Sequence, residues 1–67
     1  MKDRIERIAN RYGLGIPKEK LVSRIYFELK AEGAEVWIIN DRYIGATCGT
    51  YQIIKSKKQM KWIVRDI

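Results

Sequence analysis

The side chains with most chemistry to offer in this sequence are cations. Lys55, Lys57, Lys58, Lys61 and Arg65 lie in one short stretch, Arg42 precedes them, and no carboxylate falls between Arg42 and Arg65. Residues 1–41 hold eight basic and seven acidic residues, whereas residues 42–67 hold six basic residues and Asp66 alone. Five of the six net positive charges therefore sit in the C-terminal part. Trp37, Tyr43, Tyr51 and Trp62 are interleaved with these cations. Ammonium and guanidinium groups neutralise phosphates, and aromatic rings stack on bases, which together hold a single strand without reading its sequence. A surplus of charge also keeps a small protein soluble, so the cations alone do not define a ligand.

The residues of catalysis are missing. Histidine, the commonest general acid–base and metal ligand, is absent, and one cysteine cannot build a thiolate metal site. A Cys48 nucleophile would need a base beside it, and none stands near it in sequence, so a small buried thiol is the expectation. Glu28, Glu32 and Glu35 form the only local carboxylate cluster, and their helical spacing reads as a solvated helix end. Gly13-Leu14-Gly15 follows a helix and has no third glycine, unlike a phosphate cradle, which follows a strand. The expectation is a non-enzymatic protein with no metal and no cofactor.

At 67 residues the chain accommodates one domain, residues 1–67, near the lower limit for a self-sufficient core. Such a core supplies only about 3–5 kcal/mol, which gives self-association a physical motive. The longest apolar run, Val36–Ile39, is far short of the roughly 20 residues that cross a bilayer, and the charged N-terminus does not read as a secretory signal. With a single cysteine, a reducing cytoplasmic setting is expected.

Ile5, Ile8, Ala9 and Tyr12 recur at helical spacing, which predicts a first helix over residues 2–12, ended by Gly13. Arg4, Arg7 and Arg11 share a neighbouring face that reads as solvated. Pro17 suits the first position of a second helix, which should run to Glu32 and stop at Gly33, with Leu21, Val22, Ile25, Tyr26 and Leu29 covering a sheet. Phe27 falls on its polar side. From Glu35 the period becomes that of strands. Asn40-Asp41 suits a two-residue hairpin turn, setting Ile39 opposite Arg42, Ile38 opposite Tyr43 and Trp37 opposite Ile44. Val36, Ile38 and Tyr43 would then share one face, and Trp37, Ile39, Arg42 and Ile44 the other. Two more strands, Thr50–Lys55 and Met60–Asp66, complete an α+β fold, α-α-β-β-β-β, with an antiparallel meander and both helices on one side. In the last strand Met60, Trp62 and Val64 should form the apolar side.

Two functions fit these features. In the first, Arg42, Lys55, Lys57, Lys58, Lys61 and Arg65 contact the phosphates of a nucleic acid while Trp37 or Tyr43 stacks on its bases. A lesser variant uses the helices, because Ile8–Leu14 is reminiscent of the first helix and turn of a helix-turn-helix. In the second, the chain is a small protein-interaction module, a regulator or inhibitor, that sets an exposed apolar sheet face or an edge strand, with Phe27, Trp37 and Ile39, against a partner or a second copy of itself.

Overall fold

The computed structural model of the chain describes residues 1–67 and has the expected order of elements: α1 (Lys2–Tyr12), α2 (Lys18–Ala31), β1 (Val36–Ile38), β2 (Tyr43–Ala46), β3 (Gly49–Ser56) and β4 (Lys61–Asp66). The strands form one antiparallel sheet in chain order, β1-β2-β3-β4. None of the helices is long and apolar enough to cross a membrane.

The helices form where the apolar spacing demands. Ile5, Ile8 and Ala9 of α1 are buried, and Gly13 ends the helix at φ 74°, a region that favours glycine. Pro17 caps α2 from outside its first turn, with extended backbone, and its carbonyl accepts the Leu21 N–H at 2.9 Å. The helix closes with a Schellman motif: the Gly33 N–H donates to Lys30 O and the Ala34 N–H to Leu29 O, each at 3.0 Å, with Gly33 at φ 89°.

The faces expected to be solvated are in fact used to join the helices. Arg4 pairs with Glu32 and Arg11 with Glu28. The Tyr12 hydroxyl donates to Glu28 Oε2 at 2.5 Å instead of entering the core. Residues seven apart on α1 thus meet residues four apart on α2. These pairs are exposed, so they set the alignment of the helices more than they stabilise it.

Both helices cover one face of the sheet, where Val36, Ile44, Ala46, Tyr51, Ile53, Trp62 and Val64 join Ile5, Ile8, Ala9, Leu21, Val22, Ile25 and Leu29 in a single core. No buried side-chain polar atom lacks a partner. The closest polar contacts between layers lie where α1 meets the outer edge of β4. Asn10 Oδ1 accepts the Trp62 N–H at 2.8 Å, and Asn10 Nδ2 donates to Trp62 O at 2.9 Å. Glu6 Oε2 accepts the Val64 N–H at 2.9 Å, and the Trp62 indole N–H donates to Gly13 O at 2.6 Å. Side chains of α1 therefore occupy the hydrogen-bonding positions a further strand would take.

The first hairpin departs from the expected register by one residue. Val36 pairs with Ala46, Trp37 with Gly45 and Ile38 with Ile44, and the Ile39 N–H donates to Tyr43 O, so Asn40, Asp41 and Arg42 form a three-residue turn. The cause is Asn40, whose Oδ1 accepts both the Arg42 N–H at 2.8 Å and the Tyr43 N–H at 3.1 Å. Because strand side chains alternate, this slip moves Ile44 into the core and puts Tyr43 with Trp37 and Ile39 on the other face. Met60 also differs from expectation. It closes the β3–β4 turn at φ 56° and is 75% exposed, instead of beginning the apolar side of β4.

Replacing Asn10 tests the closure of the β4 edge. Asn10→Ala should lower the unfolding free energy by about 1–3 kcal/mol, the cost of leaving partly buried backbone groups unpaired, and Asn10→Asp, which keeps the acceptor but sets a carboxylate oxygen against the carbonyls of Trp62 and Glu6, should lose at least as much. Urea denaturation reads both. Loss within about 0.5 kcal/mol for the alanine variant, as at an ordinary surface position, would contradict the closure.

Candidate functional site

Pairing and alternation define the side chains of the face that the helices leave open. Across the strands from β1 to β4, one row reads Trp37, Gly45, Thr50, Ile67, and the next reads Ile39, Tyr43, Gln52, Arg65. Beyond them Ile54 pairs with Ile63 and Ser56 with Lys61. The face thus carries two aromatic rings and two cations, with Arg42 in the turn beside it, and no carboxylate.

Trp37 is held in a particular way. It is 47% exposed, yet its indole lies over Gly45 of the neighbouring strand, so closely that a Cβ there would come within 2.1 Å of Nε1. Glycine in a strand interior weakens it unless something must approach the backbone, and here the indole does. The ring is laid along the sheet with one side against the backbone. Tyr43, half-buried, is in the adjacent row of the next strand.

The other sequence-derived candidates are distributed more widely. Lys61 and Arg65 share the open face with Trp37 and Tyr43, and Arg42 borders it from the Asn40–Arg42 turn. Lys57 and Lys58 lie in the exposed β3–β4 turn, where the Gln59 N–H donates to Ser56 Oγ at 3.1 Å. Lys55 pairs with Trp62, and its side chain belongs to the helix-side face, so the structure separates it from the aromatic pair. Phe27 is 65% exposed on α2, its ring edge-on to that of Tyr26 at 5.3 Å, beside a shallow depression lined by Glu19, Lys20, Ser23 and Arg24. It therefore does not join Trp37 and Ile39, which share the open face. Two of the three α1 arginines are engaged with α2, which leaves the helix-turn-helix likeness short of free cations.

Tyr51 and Trp62 are core residues, not stacking platforms. Cys48 is exposed in the β2–β3 turn, contrary to the expected buried thiol, because the meander turns there before the core-facing alternation resumes. Its Sγ lies 3.1 Å from the Tyr51 hydroxyl. That hydrogen bond, then burial, then the negative charges that Cys48 and Asp66 carry when ionised push the Tyr51 phenol up to about 12.

Gly45, Thr50, Gln52, Ile54 and Ile63 belong to the open face but were not singled out from sequence. Gly45 alone carried a signal, as a glycine inside a strand pattern. No family model matches this chain, and neither the curated proteins nor the solved structures contain a match to it.

Two outcomes follow from this geometry. Gly45→Ala should expel the Trp37 indole, shifting its N–H resonance while that of Trp62 stays in place. The stability cost should be about 1 kcal/mol, the low end for overpacking, since the ring is free to swing outward. An unmoved Trp37 resonance would contradict the stacked placement. For Tyr51, a raised phenol pKa means the neutral form stabilises the fold fully below the ordinary value near about 10, and this contribution fades as pH rises through about 12. Ultraviolet titration should show a tyrosine ionising near pH 12 that is absent from Tyr51→Phe, whereas ionisation of Tyr51 near about 10 would contradict the Cys48 contact.

Proposed function

We propose that this chain is a non-enzymatic nucleic-acid-binding domain that holds a single strand across its open sheet face. The observation that carries the reading is the composition of that face: Trp37 and Tyr43 in adjacent rows of neighbouring strands, Lys61 and Arg65 on the same face, and no carboxylate to repel phosphate. Bases stack on the two rings, and Trp37, already laid against Gly45, loses little freedom in doing so. Arg42, Lys61 and Arg65 neutralise the backbone, while Lys57 and Lys58 extend the positive field from the β3–β4 turn. Thr50 and Gln52 supply hydrogen-bonding groups between the rings and the cations. Lys55 adds to the general field from the other side.

One observation favours a different reading. Ile39, Ile54, Ile63 and Ile67 lie on the same face, and a protein partner would be drawn to them as readily as to the rings. A regulatory role fits either ligand.

Titration with single- and double-stranded oligonucleotides at two salt concentrations separates the readings. The single strand should bind more tightly and lose affinity steeply with salt. Trp37→Ala should cost about 1–3 kcal/mol of binding, and Arg65→Ala or Lys61→Ala should weaken all sequences alike and lower the salt slope by roughly one. Lys20→Ala, on α2, should leave affinity nearly unchanged. Salt slopes equal to the wild type in Arg65→Ala and Lys61→Ala would reject the assignment.

A further inference from the structure

The helical layer carries a cleft of its own, separate from the open face of the sheet. Arg4, Arg7 and Arg11 line it from α1 and Glu32 from α2, with the buried Ile8 beneath them, and its volume is about 250 Å³. The three arginines fall at i, i+3 and i+7, within about 60° of one another around the helix and over roughly 10 Å of its length. Their partners are unequal. The structure holds two ion pairs, Arg4 with Glu32 and Arg11 with Glu28. Arg7, between them in sequence, is in neither, although Asp3 and Glu6 border its other side. Aligning the helices accounts for Arg4 and Arg11 but gives Arg7 no task. Each guanidinium has five N–H donors in a rigid fork, more than one carboxylate occupies. Glu32 and Glu28 therefore fix Arg4 and Arg11 with donors to spare, one turn to either side of the unpaired Arg7.

We propose that this cleft binds a dianionic phosphate group, with Arg7 as its principal fork and Arg4 and Arg11 closing on it from the two sides. The cleft is reached from the helices, so it stands or falls apart from the nucleic-acid reading of the sheet.

Charge and shape favour phosphate over a carboxylate. The Tyr12 phenol is raised by its bond to Glu28, and the charges of Arg24 on α2 and of Arg11 act against this, which puts a fourth guanidinium near the same end of the cleft. Four guanidiniums against two glutamates leave two positive charges, as many as a phosphate dianion neutralises. A carboxylate offers two oxygens in one plane and a single charge. Phosphate offers three terminal oxygens in different directions, which suits forks arriving from three points along a helix. Size limits the ligand as well. The volume is that of about eight waters at roughly 30 Å³ each, and it is below the roughly 300 Å³ at which pockets for whole small molecules begin. The phosphate is thus the part recognised, whether it is free or carried on a phosphorylated side chain.

Titration of the isotope-labelled chain at constant ionic strength tests the site through the arginine Nε–H resonances. The ligands are inorganic phosphate, a phosphoserine peptide and the same peptide unphosphorylated. The resonances of Arg4, Arg7 and Arg11 should move and saturate at millimolar phosphate or below, while those of Arg42 and Arg65 stay in place. Arg7→Ala breaks no ion pair of the fold and should weaken phosphate binding by about tenfold or more, the loss of one charge-assisted fork. Arg7→Lys, which keeps the charge without the fork, should recover only part of that loss. Arg65→Ala should bind phosphate as the wild type does. Tighter binding of the phosphopeptide than of inorganic phosphate assigns the site to a modified protein partner, and equal binding assigns it to the free ion. The proposal is overturned if Arg7→Ala binds phosphate as tightly as the wild type, or if all arginine resonances drift together without saturating. An unphosphorylated peptide that binds as well as the phosphorylated one would overturn it too.

Discussion

The structure depends on how the outer edge of β4 is closed. A four-stranded meander of this length presents two edges and two faces, and a chain of 67 residues has only two helices with which to cover them. Asn10 resolves part of this by supplying both a donor and an acceptor to Trp62, as a neighbouring strand would, and Glu6 does the same for the Val64 N–H one turn earlier on α1. The helix is thereby fixed alongside the sheet in both position and direction. Trp62 locks it from beneath, buried to 1% exposure with its indole N–H on Gly13 O, so the end of α1 and the centre of β4 meet at one residue. The cross-helix pairs of Arg4 with Glu32 and Arg11 and Tyr12 with Glu28 then align α2 over the β1 side.

Committing both helices to one side has a consequence for the other. The open face keeps alternating side chains that no element of the chain covers, and these are neither a uniformly polar solvated face nor a plain aliphatic one. They combine flat rings, cations, the Gln52 amide and the Thr50 hydroxyl, with isoleucines around them. The distribution of charge fits the same division, since carboxylates lie on the helices, in the connections and, as Asp66, on the helix-side face of β4, and are absent from the open strand face.

Much of this was legible in the sequence because it depends on periodicity. The apolar positions of α1 and α2, the glycine stops at Gly13 and Gly33 and the order of four strands all follow from local pattern. The first hairpin did not, because its register is set by the Asn40 side chain accepting two backbone amides, a choice of turn that the dipeptide Asn40-Asp41 leaves undetermined. One residue of slip then exchanged Ile44 and Tyr43 between faces. The same limit hid the pairing of α1 arginines with α2 glutamates, since helix-to-helix alignment is a tertiary property. Lys55 illustrates the remainder: its charge was visible, but which side of β3 it occupies required the fixed pairing with Trp62. Gly45 showed only as a glycine in a strand, and its partner, the Trp37 indole, emerged with the cross-strand register.

The two tryptophans provide the most direct test, because they lie on opposite faces of one sheet. Trp62 has its indole N–H bonded to Gly13 O beneath α1, and Trp37 lies exposed over Gly45 on the open face. Their indole N–H resonances should be followed while a single-stranded oligonucleotide is added. Open-face binding predicts that the Trp37 signal moves, together with the amides of Tyr43, Gln52 and Arg65, while the Trp62 signal stays where it is. Movement confined to Trp62 and the helices, or no movement at saturating oligonucleotide, would contradict the account.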